Sequence, residues 1–117
     1  MFAPSLPFAI VDPKHFPQDF AQDLNPKLAA SIAADQRPSS LLLFGTPSGP
    51  AAWHTIPSWY AVSAADRAID PNLQRFMAQR AGSTTVQFDD ASHVGGLTHY
   101  FARFTKLIED AAETTQS

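Results

Sequence analysis

Hydrophobic and polar residues follow a regular pattern in the second half of the chain. Aromatic and β-favouring residues predict a strand at 58–63, and "TTVQF" predicts another at 84–88. Between them, Asp70-Pro71 supplies an N-cap and a first helical position, and Gly82 is placed to end that helix. One side of this helix should carry Leu73, Phe76, Met77 and Arg80.

A longer amphipathic helix should begin at Thr98, after the second strand. Its apolar residues recur at spacings of three and four and suit packing on a sheet: Leu97, Tyr100, Phe101, Phe104, Leu107, Ile108 and Ala111. Strand, helix, strand and helix in this order predict a βαβα unit with parallel strands and a right-handed crossover. The predicted fold class is therefore α/β.

Prolines dominate the first half, because residues 1–57 hold nine of the ten. They predict short helices joined by rigid turns. Asp12-Pro13 should open one helix and Asn25-Pro26 the next. The residues that these helices should bury are Phe16, Phe20, Leu28 and Ile32. "LLLF" at 41–44 fits either a strand or a short buried helix, and periodicity does not decide between them.

These patterns divide the chain into a mostly helical segment at 1–57, a βαβα part at 58–113 and a frayed tail at 114–117. Parallel sheets are normally covered on both faces and have more than two strands. This sequence supplies three strands at most. The βαβα part should therefore form the edge of something larger.

The amino-acid composition argues against several classes of function. The net charge of −3, with no cluster of Lys or Arg, gives no basis for nucleic-acid binding. Without cysteine, the chain has no disulfide, thiolate nucleophile or cysteine zinc site. The longest apolar run is "LLLF", and the opening residues lack the basic region of a signal peptide. We expect a cytoplasmic protein with no membrane segment and no cofactor.

Two residues follow the strands where chemistry is expected. Ligands and catalytic groups collect beyond the carboxyl ends of parallel strands. Asp66 comes three positions after the first strand, and His93 comes five after the second. A carboxylate that accepts from imidazole Nδ1 holds its tautomer, which is the acid-and-base half of a nucleophilic triad. The alternative has Asp66 paired with Arg67 or capping locally, and His93 merely solvated.

Residues 57–94 read "PSWYAVSAADRAIDPNLQRFMAQRAGSTTVQFDDASHV" and resemble the C-terminal part of the α/β-hydrolases. The likeness is to a group of bacterial hydrolases with "PSWYLVATEDR-I-P", "MAERAGA" and "V--SH". Upstream, "FAQDLNPKLAASIAADQRP" and "AAWHTIPSWY" resemble the helical cap and the return to the sheet. The resemblance implies that Asp66 is the triad acid and His93 the triad base. It also implies that residues near 12–50 form a cap over an acyl or leaving-group pocket.

The family's nucleophile elbow, G-x-S-x-G, does not occur in the sequence. In "GTPSG" (45–49), Ser48 stands one place too late. After the histidine, "VGGLTHYF" is one residue longer than the family's pattern and lacks its proline. We therefore expect the C-terminal part of an ester-cleaving serine hydrolase, inactive alone, acting on a small ester-like substrate if complemented. The alternative is a non-catalytic interaction module that self-associates or complements an N-terminal hydrolase chain.

Other candidate residues have simpler explanations. A metal site from Asp89, Asp90, His93 and His99 lacks ligand spacing. Asp70 is the helix N-cap, and His99 should be solvated. His15 and His54 are isolated. The aromatic residues that fit either a core or an acyl pocket are Trp53, Trp59, Phe16 and Phe20.

Overall fold

The computed structural model describes residues 7–116. Residues 1–6 of the predicted helical segment and Ser117 of the predicted tail lie outside this range. In chain order, the elements are β1 (Phe8–Ala9), α1 (Phe16–Asp19), α2 (Pro26–Ala34), β2 (Ser39–Ser40), two 3₁₀ helices (Leu41–Phe44 and Ala52–His54), β3 (Trp59–Ser63), α3 (Pro71–Arg80), β4 (Thr84–Phe88) and α4 (Phe101–Thr114).

Strands β3 and β4 pair in parallel, from Trp59 opposite Thr84 to Ser63 opposite Phe88. This confirms both predicted strands and their direction. Their buried residues come at the carboxyl ends, where Val62 and Phe88 have almost no exposed surface. Because the strands run together, the loops that follow them emerge at the same edge of the sheet.

The connecting helix α3 begins and ends as its capping residues predict. The Asp70 side chain accepts a hydrogen bond from the Asn72 amide at 2.8 Å, and Pro71 takes the first helical position. Gly82 follows the helix with φ of +63°. Only glycine adopts that left-handed conformation without steric cost, so it ends the helix there.

The buried face of α3 is not the side that carries its large apolar residues. Leu73 and Phe76 are exposed, and the buried residues are Gln74 and Ala78. The small alanine allows close approach to the sheet, and the glutamine makes hydrogen bonds that an apolar side chain cannot make. The face of this helix that packs on the sheet is therefore built from a small and a polar residue.

The first half has its own small core, built around α1 and α2. It consists of Phe16, Ala21, Ala29 and Ala33, with Phe20, Ile32 and Val94 packed against it. Asn25 caps α2 as predicted, accepting from the Leu28 amide at 2.9 Å. Leu28 itself is exposed, contrary to prediction, because Ala29 and Ala33 form the face that packs against α1.

Helix α1 begins later than the sequence predicts. Its N-cap is His15, and Asp12 instead opens the preceding turn, where its carboxylate accepts from the Lys14 amide. Two short strands were not predicted: β1 and β2 pair antiparallel, with Phe8 opposite Ser40. "LLLF" forms a 3₁₀ helix, and all four residues are exposed, so neither a strand nor a buried helix is correct.

Helix α4 begins at Phe101, three residues after the predicted start, because residues 93–100 form turns. Of the predicted apolar stripe, Leu107 is buried, whereas Leu97, Phe101 and Ile108 are exposed. The described sheet at this helix has only two strands. A wide apolar stripe therefore extends beyond the surface that β3 and β4 can cover.

Phe88 is the main packing residue at the carboxyl end of β4. Its side chain is 1% exposed and stacks on Tyr100 with ring centroids 4.8 Å apart. We expect Phe88→Ala to lower the free energy of unfolding by about 3–5 kcal/mol, measured by urea denaturation. Phe76→Ala removes the same side chain from a position that is 57% exposed. This variant should change the free energy of unfolding by less than about 0.5 kcal/mol. Equal losses in the two variants would contradict this packing.

Candidate active site

Asp66 lies in the turn after β3, and its carboxylate shapes that turn. Oδ1 accepts from the Ala68 amide at 2.7 Å and from the Ile69 amide at 3.0 Å. The Asp66 amide itself donates to the Ser63 carbonyl. The side chain is only 3% exposed, yet both oxygens have donors, so its burial is compensated. Oδ1 therefore holds the local backbone, and Oδ2 accepts hydrogen bonds from other parts of the fold.

Gln74 of α3 connects this carboxylate to the strand. Its Nε2 donates to Asp66 Oδ2 at 2.8 Å, and its Oε1 accepts from the Ser63 amide at 3.0 Å. Nε2 also lies 3.1 Å from the Ile69 carbonyl. The buried amide therefore fixes Oδ2 relative to the end of β3. Sequence patterns did not identify Gln74, because a glutamine beside an apolar stripe looks like a solvent-exposed residue.

His93 lies in the loop after β4 and contacts the same oxygen, Asp66 Oδ2. Its Nδ1 lies 3.0 Å from Asp66 Oδ2. A carboxylate only accepts hydrogen bonds, so Nδ1 carries the proton and donates. Nε2 is then the acceptor nitrogen, and it has no hydrogen-bond partner among residues 7–116. The His93 side chain is 33% exposed, so the ring is only partly covered.

Backbone hydrogen bonds join the two loops below this pair. The Ala64 amide donates to the Phe88 carbonyl at 3.0 Å, and the Ala65 amide donates to the Ala91 carbonyl at 3.1 Å. The ladder of the sheet thus continues past the strands for two residues. It places Asp66 and His93 side by side, which confirms the geometric part of the sequence prediction. Their catalytic role remains a prediction.

A cavity of about 470 Å³ opens beside the pair. Its wall includes Asp66, His93 and Gln74, together with apolar residues of α4. It also includes three consecutive residues of β3, 59–61, and no residue of β4. Since successive side chains of a strand point to opposite faces, the cavity runs along the edge of β3 that faces away from β4.

The negative charge of Asp66 affects the pKa of Tyr60, a residue of the cavity wall. Burial raises the pKa of the Tyr60 hydroxyl, and the negative charge of Asp66 raises it further. Both effects disfavour the phenolate, the first by removing water and the second by repulsion. Tyr60 therefore stays a neutral hydroxyl beside the acid and can both donate and accept hydrogen bonds.

The alternative interpretations, in which Asp66 pairs with Arg67 or caps locally and His93 is merely solvated, are partly right. Asp66 does cap its own turn, but it pairs with His93 and not with Arg67, which donates to the Gln18 carbonyl at 2.9 Å. His93 is partly solvated while one nitrogen is held. Ser48 is exposed in an irregular segment and lies on no strand-to-helix turn.

The remaining candidates lie away from the pair. His15 bonds to Asp12 at the surface, the His54 ring lies 3.9 Å from that of Trp53, and His99 is exposed before α4. Residues 7–116 contain no group of three or more His, Cys, Asp or Glu side chains arranged to hold a metal. Within the same range, no helix has the length and hydrophobicity needed to cross a bilayer.

The predicted aromatic residues separate into two groups. Phe16 is buried in the core of the first half and stacks on Phe20 with ring centroids 5.3 Å apart. Phe20 in turn meets the His93 ring edge-on at 4.7 Å. Trp59 lines the cavity beside the pair and also a second cavity, where Trp53 packs under Arg80.

A parallel α/β unit with a carboxylate and an imidazole paired after successive strands is typical of one class of protein. The model of the alpha/beta hydrolase family matches residues 2–107. The chain therefore belongs to the alpha/beta hydrolase family, and its fold is a partial α/β-hydrolase fold. Searches of curated proteins and of solved structures gave no match.

The electrostatic contact between Asp66 and Tyr60 can be tested directly. We expect Asp66→Asn to lower the pKa of Tyr60 towards its usual value, because the variant removes a nearby negative charge and leaves only the burial effect. Titration of the assigned Tyr60 ring carbon by NMR measures this pKa separately from that of Tyr100. Asp70→Asn removes the same charge from the other end of the turn and serves as the control. An unchanged Tyr60 pKa in Asp66→Asn would contradict the arrangement.

Proposed function

We propose that this chain supplies the acid, Asp66, and the general base, His93, for hydrolysis of ester-like substrates by a Ser-His-Asp mechanism. One observation carries the proposal: the 3.0 Å contact between His93 Nδ1 and a buried carboxylate at the carboxyl ends of paired parallel strands. Membership of the alpha/beta hydrolase family supports the reaction class. It does not by itself give this chain an activity.

The geometry suits proton transfer at Nε2. With Nδ1–H held by Asp66, Nε2 can take the proton of a serine hydroxyl as that oxygen attacks an ester carbonyl. The resulting imidazolium is stabilised by the adjacent carboxylate and then protonates the departing alkoxide. The acyl group stays on the serine until water, activated in the same way, releases the carboxylic acid. His93 acts as base and acid in turn, and Asp66 remains ionised.

The nucleophile must come from outside these 117 residues, because the sequence contains no G-x-S-x-G motif. Alone, the chain should show no His93-dependent ester hydrolysis, since a base with nothing to deprotonate forms no acyl-enzyme. The apolar cavity along β3 is suited to receive the missing part of the sheet, which would bring the serine to the carboxyl edge. The pocket that selects the substrate then forms between the two parts.

A complementation assay tests this proposal. The chain is co-expressed with the N-terminal part of an alpha/beta hydrolase that contains the elbow but ends before its own acid strand. Hydrolysis of p-nitrophenyl acetate should appear only with both parts. We expect kcat to fall by about 10⁴-fold or more in His93→Ala and by about 10⁴-fold in Asp66→Asn, which presents the wrong imidazole tautomer.

His99→Ala and Asp90→Asn are the matched controls, because both alter exposed residues of the same types near the same loop. They should retain activity within a factor of about two. Robust His93-dependent turnover by the chain alone would contradict the need for an external nucleophile. Turnover by the complemented pair that survives His93→Ala would contradict the role of the base.

A second function, a non-catalytic interaction module, is favoured by the surface around the cavity. In residues 7–116, β3 pairs only with β4, so its other edge is unpaired. Beside that edge, Ile108 of α4 lines the cavity and is exposed. The radius of gyration of 16.4 Å exceeds the value of about 13 Å for a compact 100-residue domain. Unpaired strand edges and exposed apolar faces favour association with another copy or with a complementary chain.

Light scattering after size-exclusion chromatography tests this second function. The chain should elute as a dimer or larger species, and Ile108→Glu should shift it to the monomer, because a charge on the cavity wall opposes burial of that face. Leu73→Glu adds the same charge to an exposed apolar site on α3 and should leave the mass unchanged. A compact monomer of the unaltered chain would exclude self-association.

A further inference from the structure

The connector between α1 and α2, residues 20–25, touches both loops that carry the Asp66–His93 pair. Gln22 Nε2 donates to the carbonyl of Ala65, the residue before Asp66. The Phe20 carbonyl accepts from the Val94 amide at 3.2 Å, just after His93. Asp23 Oδ2 accepts from the Ser92 amide at 3.0 Å, just before His93. A segment from the first half of the chain therefore holds the backbone next to both residues.

Asp23 has the most specific of these contacts. Its Oδ2 lies against the His93 loop so closely that a Cβ built on Gly95 would be 2.5 Å from it and 2.8 Å from Ala91. No side chain fits there, which is the physical reason for a glycine at 95. The hydrogen bond from Ser92 is charge-assisted, and Ser92 is completely buried, so solvent does not compete for its amide.

The contacts of Asp23 do not explain its presence by a contribution to the stability of the fold alone. Its Oδ1 is buried without a hydrogen-bond partner among the described residues. An unsatisfied buried oxygen of a charged group costs free energy. Gln22 Oε1 and Ser92 Oγ are buried without partners as well, so this region is polar and incompletely satisfied. The observed benefit of Oδ2 is confined to the backbone of the His93 loop.

We propose that Asp23 is a positioning residue that fixes the His93 loop in the conformation where Nδ1 donates to Asp66. With the amides of Ser92 and Val94 both bound to the 20–25 connector, the backbone on either side of His93 is fixed. The imidazole then has one accessible orientation, against the Phe20 ring and towards Asp66. Without Asp23, the Gly95-Gly96 stretch gives this loop the freedom to move. The consequence for catalysis rests on the proposed function, whereas the positioning itself does not.

The tautomer of His93 in the isolated chain provides the test. Long-range ¹H–¹⁵N NMR at pH about 9, where an imidazole is neutral, should show the Nδ1–H form in the unaltered chain. Asp23→Ala should shift His93 towards the Nε2–H form of a free imidazole and speed hydrogen exchange of the Ser92 amide by about tenfold or more. Asp23→Asn keeps an acceptor oxygen and should retain the Nδ1–H form. Asp35→Ala removes an exposed acid at the end of α2 and should change neither signal.

A purely structural role would lower the melting temperature of Asp23→Ala without changing the tautomer in its folded fraction, and that result would overturn the proposal. If Asp23→Ala does not fold, hydrogen exchange in the unaltered chain provides the test. Rapid exchange of the Ser92 amide there would show that Asp23 does not hold this amide, which would contradict the proposal. Failure of the complementation assay with these NMR results intact would refute the catalytic function and leave the positioning role standing.

Discussion

The carboxylate of Asp66 is the interaction on which the site depends. Two oxygens receive four hydrogen bonds, from the backbone of its own turn, from Gln74 and from His93. Donors to both oxygens offset the free-energy cost of burying this carboxylate. These donors come from three places, the turn after β3, helix α3 and the loop after β4, so the carboxylate that contacts the imidazole also joins these parts of the fold. Local folding and the candidate chemistry therefore rest on one set of contacts.

The parallel pairing of β3 and β4 gives this contact its position, and the same pairing leaves the molecule with an open side. One edge of β3 is unpaired within the described residues, and α4 presents more apolar surface than two strands can cover. The two candidate functions share this feature. A hydrolase needs the open side to receive the strand and loop that carry a nucleophile, and an interaction module needs it to bind another chain. What fills the cavity along β3 decides between them.

The first half of the chain contacts the site directly. Its small core fixes the connector of α1 and α2, and that connector contacts the loops of both candidate catalytic residues. Phe20 serves both parts, since it packs in the core through Phe16 and against the His93 ring. The helical segment and the βαβα part are thus in contact beside the His93 imidazole, in the loop after β4.

The sequence by itself determined the elements with strong local signals: strands β3 and β4, the caps Asn25 and Asp70, the helix end at Gly82, and the positions of Asp66 and His93 after the strands. These follow from hydrogen bonding and steric preferences within a few residues. Only the tertiary structure decided which face of α3 is buried, where α4 begins, and that Gln74 contacts Asp66 and Asp23 contacts the His93 loop. Those outcomes depend on contacts between residues far apart in the chain. The periodicity of a sequence shows which residues are apolar. It does not show whether a buried polar side chain has a hydrogen-bond partner in the folded chain.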